Sequence, residues 1–294
     1  SAAPPPGGSC IIDFSSNMTK AEYLQKVEYI REAIIRGDLY QANLTRKFNG
    51  NFNNKVHPFD LFIKLIKESP SPYSAFLKFG DAYILSSSPE RFLTVTYDGL
   101  VESRPIKGSA RRSDNKEEDQ KLFEELSNSS KERAENLMIV DLMRNDLSRA
   151  CIPGSVNVPE LFDVTSYATV HHMSSTVRGQ KSANKSSLDL VKACFPPGSM
   201  TGAPKIHAMR MCTELEKIER GVYSGAIGWF GGDGSVDLSV VIRTLIIQGD
   251  KFEFQVGGGI VADSDPEKEW EETLVKAKAI IATLGIKQEA LESL

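Results

Sequence analysis

Cysteine is scarce and scattered in this chain. Its 294 residues hold Cys10, Cys151, Cys194 and Cys212, with no CxxC pair and no framework spacing. A disulfide-stapled scaffold and a zinc site built from cysteine pairs are therefore excluded, and reduced thiols in a cytoplasmic compartment are the expectation. Long apolar runs are missing too. The most apolar stretch, Leu238 to Ile247, is interrupted by Arg243 and is far too short to cross a bilayer, and nothing at the start resembles a signal peptide. A soluble protein without a membrane partner is expected. There is no excess of positive charge either: the formal net charge is -4, which argues against a nucleic-acid partner but leaves room for an anionic small molecule at a local cluster of cations. GxSxG, HExxH and linked Cys/His signatures are absent, so serine, cysteine and zinc hydrolases find no support.

What the chain does have is a globular composition, 40% hydrophobic and 25% charged, over a length that suits one large domain or two ordinary ones. The opening SAAPPPGGSC reads as a flexible linker or a processed start, so residues 1–10 are set apart and 11–294 are expected to form one structured domain, with no later composition shift or internal repeat. Thr19 and Glu22 make a capping-box pattern ahead of Leu24, Val27, Ile30 and Ile34, and Gly37 supplies a stop, which predicts a helix from Thr19 to Arg36. Leu39 to Phe48 alternates as a half-buried strand would, with Gln41, Asn43 and Thr45 on one face, so Gln41 is expected to point to water or to a cleft. Pro58 to Glu68 reads as a helix, and SAFLKF, AYILSS, RFLTVTY and LVESR as strands of one antiparallel meander. Helices are predicted over Ser113 to Leu126 and Ser130 to Arg149, strands near Ser155 and over Thr165 to Arg178, and further helices over Ser187 to Cys194 and Pro204 to Arg220. Three strands, Val222 to Phe230, Val236 to Ile247 and Phe252 to Val256, precede a last helix opened by Asp265-Pro266 and running to about Leu284. Hairpin-linked strands with helices inserted between groups favour an α+β fold over a parallel doubly wound sheet.

Several constellations could carry chemistry. SRPIKGSARR places Lys107 between a proline and a glycine and among Arg104, Arg111 and Arg112, and neighbouring cations raise the cost of keeping a lysine protonated. Glu132 and Glu135 on one helix, and Glu269 and Glu272 on another, each put two carboxylates on a face. That suits a hard cation such as Mg²⁺, although a solvated helix face explains the same spacing. Gly257-Gly258-Gly259 lets backbone N–H groups approach an anion, with Arg243 and Lys276 able to add charge; a tight turn is the alternative. GSMTGAPK, from Gly198 to Lys205, is similar to a phosphate-binding loop but carries Pro204 and Ile206 against the Walker pattern. A nucleotide P-loop is rejected, which leaves a helix N-terminus that binds a carboxylate or hydroxyl, or that is simply capped. In TVHHMSS one of His171 and His172 can meet a ligand while the other faces away, or both can be packed core. The residues alone lead to an Mg²⁺-dependent enzyme acting on a carboxylate substrate, with Lys107 as a candidate nucleophile.

Taken together, GDLYQANLTR, SSSPERF, SRPIKGSARR, AENLMIVDLMRNDLSR, VHHMSST, GSMTGAPK, VVIRTL and QVGGGIVADSDPEKEWEET resemble the chorismate-utilising enzymes, and they run in that family's order from Gly37 to Lys276. The resemblance implies an α+β fold of two large, mainly antiparallel sheets packed together with helices outside, as in anthranilate synthase component I, and an active-site cleft. No stretch here matches the family's N-terminal region, which completes one of the sheets there. Within the family the PIKG form at Lys107 is that of the aminodeoxychorismate synthase branch, where anthranilate synthases carry PIAG. Gln41, in the substrate site, stands where isochorismate and salicylate synthases place a lysine base.

The implied reaction is Mg²⁺-dependent amination of chorismate with ammonia to 4-amino-4-deoxychorismate, on the route to 4-aminobenzoate and folate. Lys107 would attack ring carbon 2 and form a covalent adduct while Glu90 protonates the leaving hydroxyl. Anthranilate synthase chemistry and a chorismate-binding domain without turnover are the alternatives. By the same resemblance Glu135 and Glu272 hold Mg²⁺ directly, and Glu132 and Glu269 stand one turn away as outer or water-mediated partners. Arg243, Lys276 and the amides of Gly258 and Gly259 would bind the enolpyruvyl carboxylate, and His172 and Ser199 would meet the ring. Trp229 offers an indole N–H where some relatives have a tyrosine hydroxyl. The implied partners are chorismate and a glutamine amidotransferase subunit or domain that supplies ammonia. A free lysine, with a pKa of ~10.4, is protonated near neutrality, so Arg104 and a buried site are expected to disfavour the Lys107 cation. Ser109 replaces the threonine usual after PIKG and keeps its hydroxyl.

Overall fold

The capping box forms as the sequence predicts. In this computed structural model, which describes residues 11–167 and 170–292, Thr19 Oγ1 accepts from the Glu22 N–H at 3.3 Å and the Glu22 carboxylate accepts from the Thr19 N–H at 2.8 Å. There α1 (Lys20–Ile35) begins. The expected linker, residues 1–10 with Cys10, lies outside the described residues. The buried stripe of α1 is Tyr23, Val27, Ile30 and Ala33: Val27 and Ile30 are as expected, while Tyr23 and Ala33 replace Leu24 and Ile34 at its ends. The ring of Tyr23 packs edge-on against Trp270, 5.6 Å between centroids.

In chain order β1 (Ile11–Ser16) precedes α1, and β2 (Gln41–Phe52), α2 (Pro58–Glu68), β3 (Tyr73–Phe79), β4 (Ala82–Ser88), β5 (Arg91–Val95), β6 (Leu100–Ser103) and β7 (Ile106–Arg111) follow it. Next come α3 (Lys116–Asn128), α4 (Ser130–Ser148), β8 (Asn157–Ser166), β9 (Val170–Gln180), α5 (Ser187–Cys194), a 3-10 turn at Gly198–Met200, β10 (Gly202–Ala203) and α6 (Lys205–Glu216). The chain closes with β11 (Ala226–Phe230), β12 (Val236–Val240), β13 (Thr244–Gln248), β14 (Lys251–Ile260), α7 (Pro266–Leu284) and α8 (Gln288–Glu292).

These elements gather into two compact units, interleaved along the chain. Of the described residues, the first takes those up to Pro89, Arg210–Tyr223 and those from Val241; the second takes Glu90–Met209 and Ser224–Val240. The first unit holds an antiparallel sheet in the order β1-β2-β14-β13-β4-β3. Its core joins Phe48, Phe252 and Phe254 of the sheet to Leu65 of α2 and to Ala277, Ile280 and Ile281 of α7. Burying each of the larger side chains fully contributes about 1.5–3 kcal/mol. The second unit holds a sheet in the order β11-β12-β5-β6-β9-β7, with β8 also paired to β9. Ile139, Met143 and Leu147 recur at helical spacing on the buried face of α4, which packs on β9.

The α+β reading and both antiparallel sheets are therefore present, with local corrections. The expected single meander is divided: β3 and β4 form a hairpin in the first unit, and β5 and β6 pair in the second. Pro89 stands between them and has no N–H to continue a ladder. The expected strand Val236 to Ile247 is likewise two strands, separated where Arg243 adopts a left-handed φ of 49°, outside the extended range of a regular strand. Finally, β2 is not half-buried. Its first residues are buried on both faces, and Gln41 has no solvent exposure, so it does not point to water. The strand expected over Thr165 to Arg178 falls across β8 and β9, and positions 168 and 169 lie outside the described residues. Among the described residues no helix is long and apolar enough to cross a membrane.

Candidate active site

In the second unit, Ser103 ends β6, Pro105 separates it from β7, and Lys107 is the second residue of β7, so the lysine opens a strand rather than closing one. Gly108 has φ of 90°, a conformation that favours glycine, and a Cβ there would come 2.9 Å from Glu132 Oε2 and 3.1 Å from Leu126 Cδ1. The glycine lets β7 pass against α4 at Glu132. Arg104 does not act as the expected neighbouring charge. Its guanidinium donates to Asp163 at 2.9 Å and to Ser174 at 3.1 Å, with Glu160 at 3.9 Å, so its cation is already offset. Arg111 pairs with Glu118 at 2.5 Å and Arg112 with Asp119 at 2.8 Å. Lys107 is partly exposed rather than buried, and among the described residues its side chain has no ion pair or hydrogen bond.

The same unit carries the other groups read from the sequence. Glu90 is buried just before β5, and its carbonyl accepts from the Val240 N–H at 3.0 Å. The two histidines of β9 face opposite ways, as strand alternation requires. His171 is the structural one, buried between Ser166 at 2.8 Å and Asp119 at 3.1 Å. His172 meets Ser109 Oγ through Nδ1 at 2.7 Å, so the hydroxyl retained at that position fixes the ring. Ser199 lies in the 3-10 turn, where a Cβ on Gly198 would stand 2.6 Å from Leu142 Cδ2; only glycine allows that approach to α4. Lys205 is engaged with Asp146 at 2.5 Å and the Cys194 carbonyl at 2.7 Å, which agrees with rejecting a phosphate loop. Trp229, on β11, is exposed. Glu132 and Glu135 share a face of α4, and Glu135 has Lys131 at 3.9 Å.

The first unit holds the rest. Gly257, Gly258 and Gly259 are not a turn but part of β14, opposite Thr45, Leu44 and Asn43 of β2. β13 pairs with β14 only from Lys251 to Phe254, so among the described strands of this unit the glycine run is flanked by β2 alone. Arg243 leaves the start of β13. Burial pulls its pKa down, its one side-chain hydrogen bond goes to Ser69 at 3.3 Å, and no carboxylate faces it among the described residues. On α7, opened by Asp265 at its N-cap, Glu269 is buried and accepts from Ser264 Oγ at 2.7 Å, while Glu272 pairs with Lys276 at 2.5 Å. Lys276 also donates to the Gly257 carbonyl at 2.8 Å. A Cβ on Gly258 would lie 2.8 Å from Glu269 Oε2 and 3.8 Å from Glu272 Oε1. The missing side chain leaves a cradle lined by carboxylate oxygens.

Oxygen donors of this kind fit a hard cation, and the ammonium on Glu272 marks where positive charge is accepted. Among the described residues no three His, Cys, Asp or Glu side chains cluster as a metal centre. Mg²⁺ does not require that, since it keeps several waters and takes one or two carboxylates.

Sequence reasoning missed two residues in the first unit. Arg46 is fully buried, with its guanidinium 3.6 Å from the Trp270 ring centroid and 4.5 Å from that of Phe48, and its three nitrogens have no hydrogen-bond partner. Burial lowers its pKa to about 10, so it remains a cation. Tyr23 is equally buried, its hydroxyl unpartnered, and burial pushes the phenol well above its ordinary pKa. The i, i+4, i+7 spacing of Tyr23 with Val27 and Ile30 was the available signal for Tyr23; nothing in the sequence marks Arg46.

Comparison with known proteins decides the family. The model for chorismate binding enzymes matches residues 1–282. The chain belongs to that family. Among relatives of the chorismate-binding enzyme type, the chloroplastic aminodeoxychorismate synthase of Arabidopsis thaliana is 46% identical over 90% of this chain and 29% of its own. Anthranilate synthase component 1 of Aquifex aeolicus is 41% identical over 95% of this chain and 56% of its own. The crystal structure of anthranilate synthase component I from Streptococcus pneumoniae superposes with a TM-score of 0.82 at 38% identity, over 92% of this chain and 59% of that one. The chain thus spans less than two thirds of the length of each.

Proposed function

We propose that this chain aminates chorismate at ring carbon 4 with ammonia, giving 4-amino-4-deoxychorismate and water on the route to 4-aminobenzoate and folate. The observation that carries the reading is the charge pattern around PIKG. Arg104, Arg111 and Arg112 are each matched to a carboxylate, whereas Lys107 is matched to none among the described residues. An amine kept out of ion pairs is available, once deprotonated, as a nucleophile. In the first displacement the Lys107 amine bonds to ring carbon 2, both ring double bonds shift, from carbons 1–2 to 1–6 and from 5–6 to 4–5, and the hydroxyl leaves carbon 4 as water with the proton of Glu90. In the second, ammonia bonds to carbon 4, both double bonds shift back, and the bond from carbon 2 to Lys107 breaks to restore the free amine. The extra proton on the new amino group returns to Glu90, and the two displacements together retain the configuration.

The other roles follow the residues' chemistry. Glu135 and Glu272, with Glu132 and Glu269 beside them, would hold Mg²⁺, which supplies positive charge for a substrate carboxylate. Arg243, Lys276 and the Gly258 and Gly259 amides would take the enolpyruvyl carboxylate, and Gln41, His172, Ser199 and Trp229 the ring. A glutamine amidotransferase subunit or domain would supply the ammonia. Cys151, Cys194 and Cys212, all free thiols and buried, suit a cytoplasmic compartment.

Anthranilate synthesis is the second reading, favoured by the likeness to the pneumococcal structure; Lys107, in place of the alanine of PIAG, speaks for the first. Incubating the chain with chorismate, ammonium and Mg²⁺ and identifying the product by mass separates them. 4-Amino-4-deoxychorismate is expected, and anthranilate would overturn the assignment.

A further inference from the structure

The Gly258 cradle has a third oxygen that no motif pointed to. Tyr23 Oη ends 3.8 Å from the position a Gly258 Cβ would take, the same point that Glu269 Oε2 approaches to 2.8 Å and Glu272 Oε1 to 3.8 Å. The hydroxyl has no hydrogen-bond partner, although its residue has no solvent exposure. Buried phenols normally find a partner, because a stranded hydroxyl retains the full cost of leaving water. The ring is held firmly. It meets Trp270 edge-on, and Trp270 carries the Arg46 guanidinium on its face at 3.6 Å. Trp270 follows Glu269 directly and precedes Glu272 by two residues, so a clamp on Trp270 also fixes the roll of α7 and the direction of both carboxylates.

We propose that Tyr23 is a positioning residue for the Glu269 and Glu272 pair: its O–H donates to the carboxylate oxygen not used by a bound divalent cation, and so selects the oxygens that face the ion. Carboxylates that hold metals are commonly oriented in this way by an outer donor. The inference rests on the cation-binding reading of α7. It explains why a phenol is placed unpartnered beside two carboxylates where phenylalanine would pack as well.

Tyr23→Phe removes the one oxygen and keeps the ring. Free Mn²⁺ followed by electron paramagnetic resonance gives the affinity of the full chain for a divalent cation, and thermal unfolding without metal gives its stability. The variant is expected to bind Mn²⁺ about 10-fold more weakly, with a metal-free Tm equal to or above that of the unaltered chain, because an unpartnered hydroxyl has left the interior. Unchanged Mn²⁺ affinity overturns the proposal, and so does a lowered metal-free Tm accompanying the loss, which would make Tyr23 a packing residue. Glu272→Gln separates the two readings. If it loses Mn²⁺ while Tyr23→Phe does not, only the role of Tyr23 fails; if the unaltered chain takes up no Mn²⁺, the cation reading fails and this inference with it.

Discussion

In the first unit Tyr23, Gln41, Arg46 and Gln255 each bury a polar side-chain atom without a hydrogen-bond partner among the described residues, whereas in the second unit Asn136 is the residue that does so. Elsewhere in the second unit the buried polar groups are matched: His171 with Asp119 and Ser166, His172 with Ser109, Asp146 with Lys205. Each stranded group costs about 1–3 kcal/mol, so the asymmetry opposes folding and calls for a reason. In the proposed function the first unit supplies mostly groups that receive a cation and a carboxylate, and the second supplies the reacting amine and acid. Polar atoms held ready for a ligand, on one hand, and a largely hydrogen-bonded frame around Lys107 and Glu90, on the other, are what that division requires.

The division can be broken most sharply through the second unit. Glu90→Gln is expected to lower kcat by about 10²–10⁴-fold while Mn²⁺ binding stays as it was; loss of Mn²⁺ binding would move Glu90 among the receiving groups. A smaller effect of opposite kind is expected from the first unit. Arg243→Met should raise KM for chorismate about 10–100-fold, the scale of hydrogen bonds to a charged group, with little change in kcat. Its metal-free Tm should not fall, since a cation that burial already disfavours, and that meets no carboxylate, is removed. A drop in kcat at unchanged KM would place Arg243 with the reacting groups instead.

Local signals in the sequence were reliable where one residue decides the backbone. Thr19 with Glu22 and Asp265 with Pro266 start helices where predicted, because a cap satisfies backbone donors within a single turn. The strand breaks at Pro89 and Arg243 were not predicted because a strand's sheet is chosen by partners distant in sequence, which alternation does not record. The motif residues were legible as a set through the family resemblance. Arg104 was not read correctly, since its partners Asp163 and Ser174 lie 59 and 70 residues away. Tyr23 and Arg46 were missed for the same reason: an apolar stripe and a strand position look ordinary until Trp270 and the gap at Gly258 are brought to them.

The central claim is that the unpaired amine of Lys107 bonds to the substrate ring. The chain is incubated with chorismate and Mg²⁺ in the absence of ammonia, digested, and the peptide carrying Lys107 is weighed. The account predicts a gain equal to chorismate less one water, on that peptide alone, and no gain anywhere in Lys107→Ala. An unmodified Lys107 in a preparation that aminates chorismate as soon as ammonium is added would contradict it.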